Sequence, residues 1–151
     1  MRLSEEMFEV IKSTHKFTKE PWMSKFGITY IGYCHTVVRE QPRTTRRKAE
    51  VLLRKDIRRI ENYINNLLDN QDIPQNHFDA MCSLAYDIGN PALKNSLFFK
   101  YYKKGLIVEA CSRIIVWSYI KDQLSLAMQY RRNIDFNIFN ESDYNIKREL
   151  P

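Results

Sequence analysis

Glycine, proline and cysteine are all scarce in this chain of 151 residues, which holds 4 Gly, 5 Pro and 3 Cys. So few Gly and Pro residues exclude collagen-like and low-complexity proteins. No segment reaches the ~18 consecutive apolar residues of a membrane span. Residues 1–16 mix apolar and charged types, unlike a secretion signal. We therefore expect a protein without a membrane span that stays in the cytoplasm unless other proteins carry it out.

The three cysteines, Cys34, Cys82 and Cys111, cannot all pair within one chain, and no two lie at the spacing of metal ligands. We expect three reduced thiols that pack as small hydrophobic side chains. His35 and His77 have no second ligand at the spacing of a zinc site. The sequence therefore predicts neither a metal nor a cofactor.

The chain is 44% hydrophobic and 13% aromatic, and its formal net charge is +6. This composition excludes a disordered protein, and the length fits one domain with its own core, which we expect to be a monomer. The positive charge favours a polyanionic partner. Nucleic acid and the anionic polymers of bacterial envelopes both qualify, and the sign of the charge alone does not choose between them.

Apolar residues recur every three or four positions over residues 44–69, which predicts one long amphipathic helix. Its other face is rich in Arg and Lys, which we interpret as a solvated surface or, alternatively, as a polyanion-binding surface. Further helices are predicted after Ser4 and over the ranges 76–88, 94–104, 106–119 and 123–139. Residues 140–151 are polar and are predicted to form a loose tail.

Residues 17–38 have a different pattern, in which Gly27 and Gly32 bracket Ile, Thr and Tyr residues that favour strands. This pattern predicts a small, irregular β-hairpin region. The fold class expected from the whole chain is therefore α+β and mainly α.

Several motifs then follow in the order and spacing of a known family. Residues 26–36 read FGITYIGYCHT and resemble the signature GxxTIGYGHT, residues 44–56 are similar to TxxxAxxLLxxD, and residues 77–89 resemble QFDALVSFAFNxG. The remaining family motifs are similar to three further places in the chain, which are Ser96 with Leu97, then Trp117, then Arg131 and Arg132 with Asp135. Over residues 3–139 the chain resembles the phage-type lysozymes, or endolysins, which are glycoside hydrolases.

The resemblance implies a lysozyme-like fold with one domain over residues 1–151. Its parts would be a small β lobe at 14–40, an inter-lobe helix at 44–69, a helical lobe at 75–139 and the tail at 140–151. The resemblance also implies phage or prophage origin and an ancestral activity on the glycan strands of peptidoglycan. By the same analogy, such proteins accumulate in the cytoplasm until a holin or another route exports them.

The resemblance also implies where catalytic residues belong. Family members use a Glu general acid at the end of the first helix, an Asp nine residues later and a Thr in the TIG turn. Counting back from His35 places these three positions at His15, Ser24 and Tyr30. Cleavage needs one carboxyl that gives a proton and a second that stabilises the cation or activates water. Because all three positions are changed, we expect that the chain is not an efficient muramidase.

Other residues receive roles of two kinds. The candidates for substrate contact are Trp22, Tyr33 and Asp87, although each could equally serve packing or hydrogen bonding. The structural motif residues are Gly27, Gly32, His35, Arg131 and Arg132, and the two arginines are expected to tie the last helix to the core. His15 could also be a plain helix-end cation, exposed to solvent.

Two functions remain open from the sequence. The first is a lysozyme-fold pseudoenzyme that binds peptidoglycan strands or a protein partner without cutting. The second is an atypical hydrolase that uses His15 or a relocated acid, for which Glu9 and Glu20 are the nearest candidates. Nucleic acid binding is the weakest alternative, because the sequence contains no nucleic-acid-binding motif.

Overall fold

The computed structural model describes residues 1–39 and 43–146. Its helices are α1 Glu5–Thr14, α2 Arg46–Leu67, α3 Gln75–Ile88, α4 Asn90–Asn95, α5 Leu97–Lys103, α6 Ile107–Ser112 and α7 Leu126–Glu141, with a 3₁₀ helix at Ile115–Ser118. Its strands are β1 Thr18–Met23, β2 Thr29–Gly32, β3 His35–Thr36, β4 Tyr119–Ile120 and β5 Gln123–Leu124. The predicted fold class, α+β and mainly α, is confirmed.

Helix α1 begins after the N-cap residue Ser4 and ends at His15. The Ser4 hydroxyl accepts a hydrogen bond from the Met7 N–H at 3.1 Å, an N-cap that typically contributes ~1 kcal/mol. The helix buries Phe8 and Ile11 in the core. Its C-cap is His15, whose N–H donates to the Ile11 carbonyl.

Strands β1, β2 and β3 form an antiparallel sheet in that order, within the region predicted to be a β-hairpin. Tyr30 on β2 pairs with Trp22 on β1 and with Thr36 on β3. The sheet meets α2 at Gly32, where an added Cβ would lie 2.8 Å from the Ala49 Cβ. Glycine is therefore needed at this position for the strand and the helix to approach each other.

The long helix α2, predicted over residues 44–69, spans Arg46–Leu67. Thr45 is its N-cap, and its hydroxyl accepts from the Lys48 N–H at 3.3 Å. The predicted apolar stripe is buried, as at Leu53 and Ile57, because it packs on the rest of the core. The helix connects the β sheet to the helices that follow it.

The C-terminal helices pack around α3, which runs through the core against α7. The helix predicted over 94–104 is divided at Ser96, whose hydroxyl caps α5 by accepting from the Phe99 N–H at 3.0 Å. The helices predicted at 106–119 and 123–139 are separated by the β4–β5 hairpin, whose turn places Lys121 and Asp122 in the left-handed region. Helical periodicity alone does not reveal such a short hairpin.

The prediction of a loose tail from residue 140 is wrong as far as residue 146. Residues 140 and 141 belong to α7, and the Tyr144 hydroxyl donates to Asp79 Oδ2 at 2.7 Å. Ile146 packs against the core. The rest of the predicted tail, 147–151, lies outside the described residues. The tail is anchored because Asp79 offers a buried acceptor that no local pattern reveals.

The cysteines are all free, with Cys82 and Cys111 buried and Cys34 only half-buried. Within residues 1–39 and 43–146, no three His, Cys, Asp or Glu side chains cluster in a way that could hold a metal ion. In the same part of the chain, no helix combines the length and the apolarity needed to cross a bilayer.

Candidate active site

His15, at the position of the family's general acid, is buried, with only 3% of its surface exposed. Its Nδ1 lies 2.9 Å from the Ile11 carbonyl oxygen, and its Nε2 lies 2.8 Å from Asp87 Oδ1. Both ring nitrogens of His15 are therefore engaged by protein groups inside the fold. His15 is not the solvent-exposed helix-end cation considered above.

Asp87 on α3 is the negatively charged residue that contacts His15 and two arginines of α7. Its Oδ2 accepts from Arg131 Nε at 2.8 Å and from Arg132 Nη2 at 2.7 Å. Burial by itself would raise the pKa of Asp87, but the hydrogen bond and charge of His15, together with Arg132 and Arg131, hold that pKa well below its usual range. Asp87 is therefore an ionised acceptor, and it has no proton to give to a leaving group near neutral pH.

The cluster extends along α7 to Asp135. Arg132 is fully buried and forms an ion pair with Asp135 Oδ2 at 2.8 Å. Burial raises the pKa of Asp135, against the charge of Arg132 and a hydrogen bond from Ser83. The result is a buried charge network that joins the end of α1 to α3 and α7, with Asp87 at its centre.

Ser24, at the position of the family's Asp, lies in the turn between β1 and β2. Its hydroxyl accepts from the N–H groups of Phe26 and Ile28, each at 3.3 Å. Its backbone N–H also donates to the Ile28 carbonyl. These contacts make Ser24 a turn-closing residue, and a hydroxyl cannot supply the negative charge that the family's Asp provides.

Tyr30, at the position of the family's Thr, fills space on the sheet with an aromatic ring. Its ring centroid lies 5.2 Å from that of Trp22, at an interplanar angle of 36°. Burial raises the pKa of Tyr30, and the nearby Cys34 and Asp87 raise it further, so the phenol stays protonated. Trp22 is 42% exposed and is the substrate-contact candidate whose ring faces solvent.

The other two substrate-contact candidates are buried. Tyr33 is only 4% exposed, and its ring packs against Phe17 with centroids 5.6 Å apart. Its carbonyl accepts a hydrogen bond from the Tyr86 hydroxyl. Tyr33 is therefore placed in the core and Asp87 in the charge network, and neither presents its side chain to a ligand. Of the three candidates, Trp22 is the one whose side chain is exposed enough to contact a ligand.

Next to Tyr33, Cys34 has a φ of 63°, in the left-handed region where the family's motif has Gly. His35 Nδ1 donates to Asp56 Oδ2 at 2.6 Å, which ties β3 to α2. The histidine of the motif thus has an internal partner.

The relocated acids considered from the sequence lie on the outside of the molecule. Glu9 is bound to Lys12 at 3.1 Å, and its side chain is 65% exposed. Glu20 is bound to Arg43 at 2.9 Å, and its side chain is 61% exposed. Neither has the buried, proton-retaining environment of a catalytic acid.

A cavity of about 590 Å³ lies between β3, α2 and the junction of α3 with α4. Cys34, Thr36, Tyr86 and Asn90 contribute to its walls, and α2 contributes Lys55, Asp56 and Arg59. Lys55 and Arg59 belong to the basic face of α2, which the sequence left open as a solvated surface or a polyanion-binding surface.

Comparison with known proteins agrees with this architecture. The profile of the phage lysozyme family matches residues 12–135. An endolysin of Bacillus phage B103 is 28% identical over 155 aligned positions, which cover 99% of this chain but only 58% of that relative, so the chain spans under two thirds of its length.

Solved structures are similar over almost the whole chain. The endolysin from Escherichia coli O157:H7 phage FAHEc1 has a TM-score of 0.80 at 27% identity, covering 96% of this chain and 97% of that one. The muramidase domain of SpmX from Asticaccaulis excentricus has a TM-score of 0.82 at 29% identity, covering 92% and 97%. Motifs, fold and family profile agree, and the chain belongs to the phage lysozyme family.

Proposed function

We propose that this chain is a phage-lysozyme-fold protein that has lost muramidase activity and binds peptidoglycan strands without cutting them. The observation that carries the proposal is the His15–Asp87 contact of 2.8 Å in the place of a carboxylic acid. A general acid must reach the leaving oxygen and release its proton there. Both ring nitrogens of His15 already have protein partners, and the ring is buried.

The second half of the chemistry lacks a group as well. Ser24 cannot stabilise a sugar cation by charge, and the acids at Glu9 and Glu20 are held by Lys12 and Arg43 on the surface. An isolated acid gives ~10²- to 10⁴-fold acceleration. Enzymes typically reach about 10⁶-fold or more. A hydrolase that uses His15 or a relocated Glu is therefore the less supported alternative.

Binding is supported by what the fold keeps. The lysozyme scaffold is intact, Trp22 presents a partly exposed ring on the sheet, and the cavity beside α2 is open. The net charge of +6 also favours the anionic wall of a bacterium. The relatives named endolysin and muramidase domain point to the same polymer. We propose that Trp22 stacks on a sugar ring, as aromatic residues can.

Co-sedimentation with purified cell-wall sacculi tests the binding. We expect the chain to pellet with sacculi at moderate salt, and Trp22→Ala to pellet less, while the exposed control Val108→Ala, outside the cavity, pellets as the wild type does. A small basic protein of equal net charge controls for non-specific attraction. Retention no greater than that of the charge-matched protein across salt concentrations would contradict the proposal, and would leave a protein partner as the ligand to seek.

A further inference from the structure

The cavity between β3, α2 and the α3–α4 junction has an excess of positive charge. Arg39, Lys55 and Arg59 contribute to its lining. The acidic residue among the described lining residues is Asp56, and it already accepts from His35 at 2.6 Å and lies 3.8 Å from Arg59. The carboxylate of Asp56 is therefore occupied, and the cavity as a whole attracts anions.

Two cations of this cavity have no acidic partner in the described ranges 1–39 and 43–146, namely Arg39 and Lys55. The nearby Arg54 instead binds Glu5 through two hydrogen bonds, and Lys12 is held by Glu50 at 3.0 Å. Two cations without an ion pair among the described residues thus line one concave space.

We propose that this cavity is an anion subsite that binds oxyanions, carboxylate or phosphate, carried on a cell-wall strand. The proposal rests on the proposed function and names what part of the strand gives recognition. His15, Ser24 and Tyr30 do not line the cavity. Recognition by charge at this place is therefore independent of the altered catalytic positions, which explains how binding persists when cleavage is lost.

A pair of double variants tests the subsite. The first removes two charges from the cavity by combining Arg39→Gln with Lys55→Gln. The second removes two charges from the start of α2, outside the cavity, by combining Arg47→Gln with Lys48→Gln. We expect affinity for sacculi to fall about five- to tenfold in the first variant and to change less than about twofold in the second. We also expect the first variant to respond less to added salt, since it has fewer ionic contacts to screen.

Chemical treatment of the sacculi identifies the source of the oxyanion. One preparation has its peptide carboxylates amidated, and another has its phosphate polymers removed. Loss of binding on amidation would assign the peptide carboxylates as the ligand, and loss on phosphate removal would assign phosphate.

Two results would contradict the inference, and they can be told apart. Equal effects of the two double variants, or no loss with either preparation, would overturn the subsite while the proposed function stands. No retention of the wild type at all would overturn both.

Discussion

At the scale of single residues, the chain has exchanged two residues of the family's pattern, which moves the carboxylate from position 15 to position 87. The family's pattern has Glu at position 15 and Asn at position 87, whereas this chain has His15 and Asp87. His15 Nε2 lies 2.8 Å from Asp87 Oδ1, and Asp87 Oδ2 accepts from Arg131 and Arg132. One carboxylate thus ties α1, α3 and α7 together, and position 15 has no carboxylic acid.

This exchange predicts that His15→Glu alone destabilises the protein, since a second buried carboxylate would then face Asp87. We expect a loss on the order of 3–5 kcal/mol in unfolding free energy, as when a buried ion pair is broken. Adding Asp87→Asn should restore part of it, with a coupling of about 1–3 kcal/mol. Chemical denaturation of the wild type, both single variants and the double variant measures this; additive effects would contradict it.

The low pKa of Asp87 predicts a specific acid sensitivity. Because the folded pKa lies below the unfolded value of about 3.9, Asp87 stabilises the fold fully above that value. This contribution is lost as the pH falls toward the folded pKa. In urea unfolding from about pH 7 down to about pH 2, the wild type should therefore lose more stability below about pH 4 than Asp87→Asn does. Parallel curves for the two proteins would count against the account.

Motif spacing predicts the three catalytic positions at His15, Ser24 and Tyr30, by counting back from His35 along the chain. The same reasoning did not foresee that His15 would meet Asp87. That contact joins residues 72 positions apart, and it exists only once α1 and α3 have packed. For Tyr33, the packing role that the sequence left open is the one found, because the residue lies in the turn between β2 and β3 and its ring packs against Phe17.

At the scale of elements, the joint between the sheet and α2 depends on one glycine. A Cβ on Gly32 would lie 2.8 Å from Ala49, whereas a Cβ on Gly27 would meet nothing within 4 Å. Both residues have positive φ, 66° and 79°. The two positions therefore separate the effect of packing from that of backbone strain.

Gly27→Ala should cost ~1–2 kcal/mol from the left-handed backbone alone. Gly32→Ala should cost more, by about a further 1–3 kcal/mol, because the added methyl overpacks the joint. Thermal or urea unfolding of the two variants gives the comparison. Equal losses in the two variants would mean that the sheet can move away from α2 without cost.

Elements with long periodic patterns were predictable, and short ones were not. Helix α2 repeats its apolar spacing over about six turns and was predicted within two residues at each end. The β4–β5 hairpin has only two residues in each strand, so its alternation is too short to stand out from helical spacing. Ser96 was noted as part of a motif, but its role as the N-cap that divides α4 from α5 was not.

At the scale of the whole molecule, the lysozyme scaffold is kept, and the proposed loss concerns its chemistry alone. We predict that His15→Glu, Ser24→Asp, Tyr30→Thr and Asp87→Asn together create peptidoglycan cleavage that the wild type lacks. Ser24→Asp should keep the turn, because an Asp oxygen can accept from the Phe26 and Ile28 N–H groups as the hydroxyl does. Asp87→Asn is included because it leaves Arg131 and Arg132 free to pair with the carboxylate introduced at position 15. A variant that folds but does not cleave would contradict this prediction and would mean that the cleft itself differs from that of an active lysozyme.

The most direct test measures new reducing ends released from purified sacculi by the wild-type chain between about pH 4 and about pH 8, the range over which carboxylate and imidazole acids titrate. The account predicts no release above the protein-free control at any pH, because both ring nitrogens of the buried His15 are held by protein groups and position 24 carries no charge. Release of muropeptides by the wild type that disappears in His15→Ala would contradict it, and would establish the histidine as the acid of an atypical hydrolase.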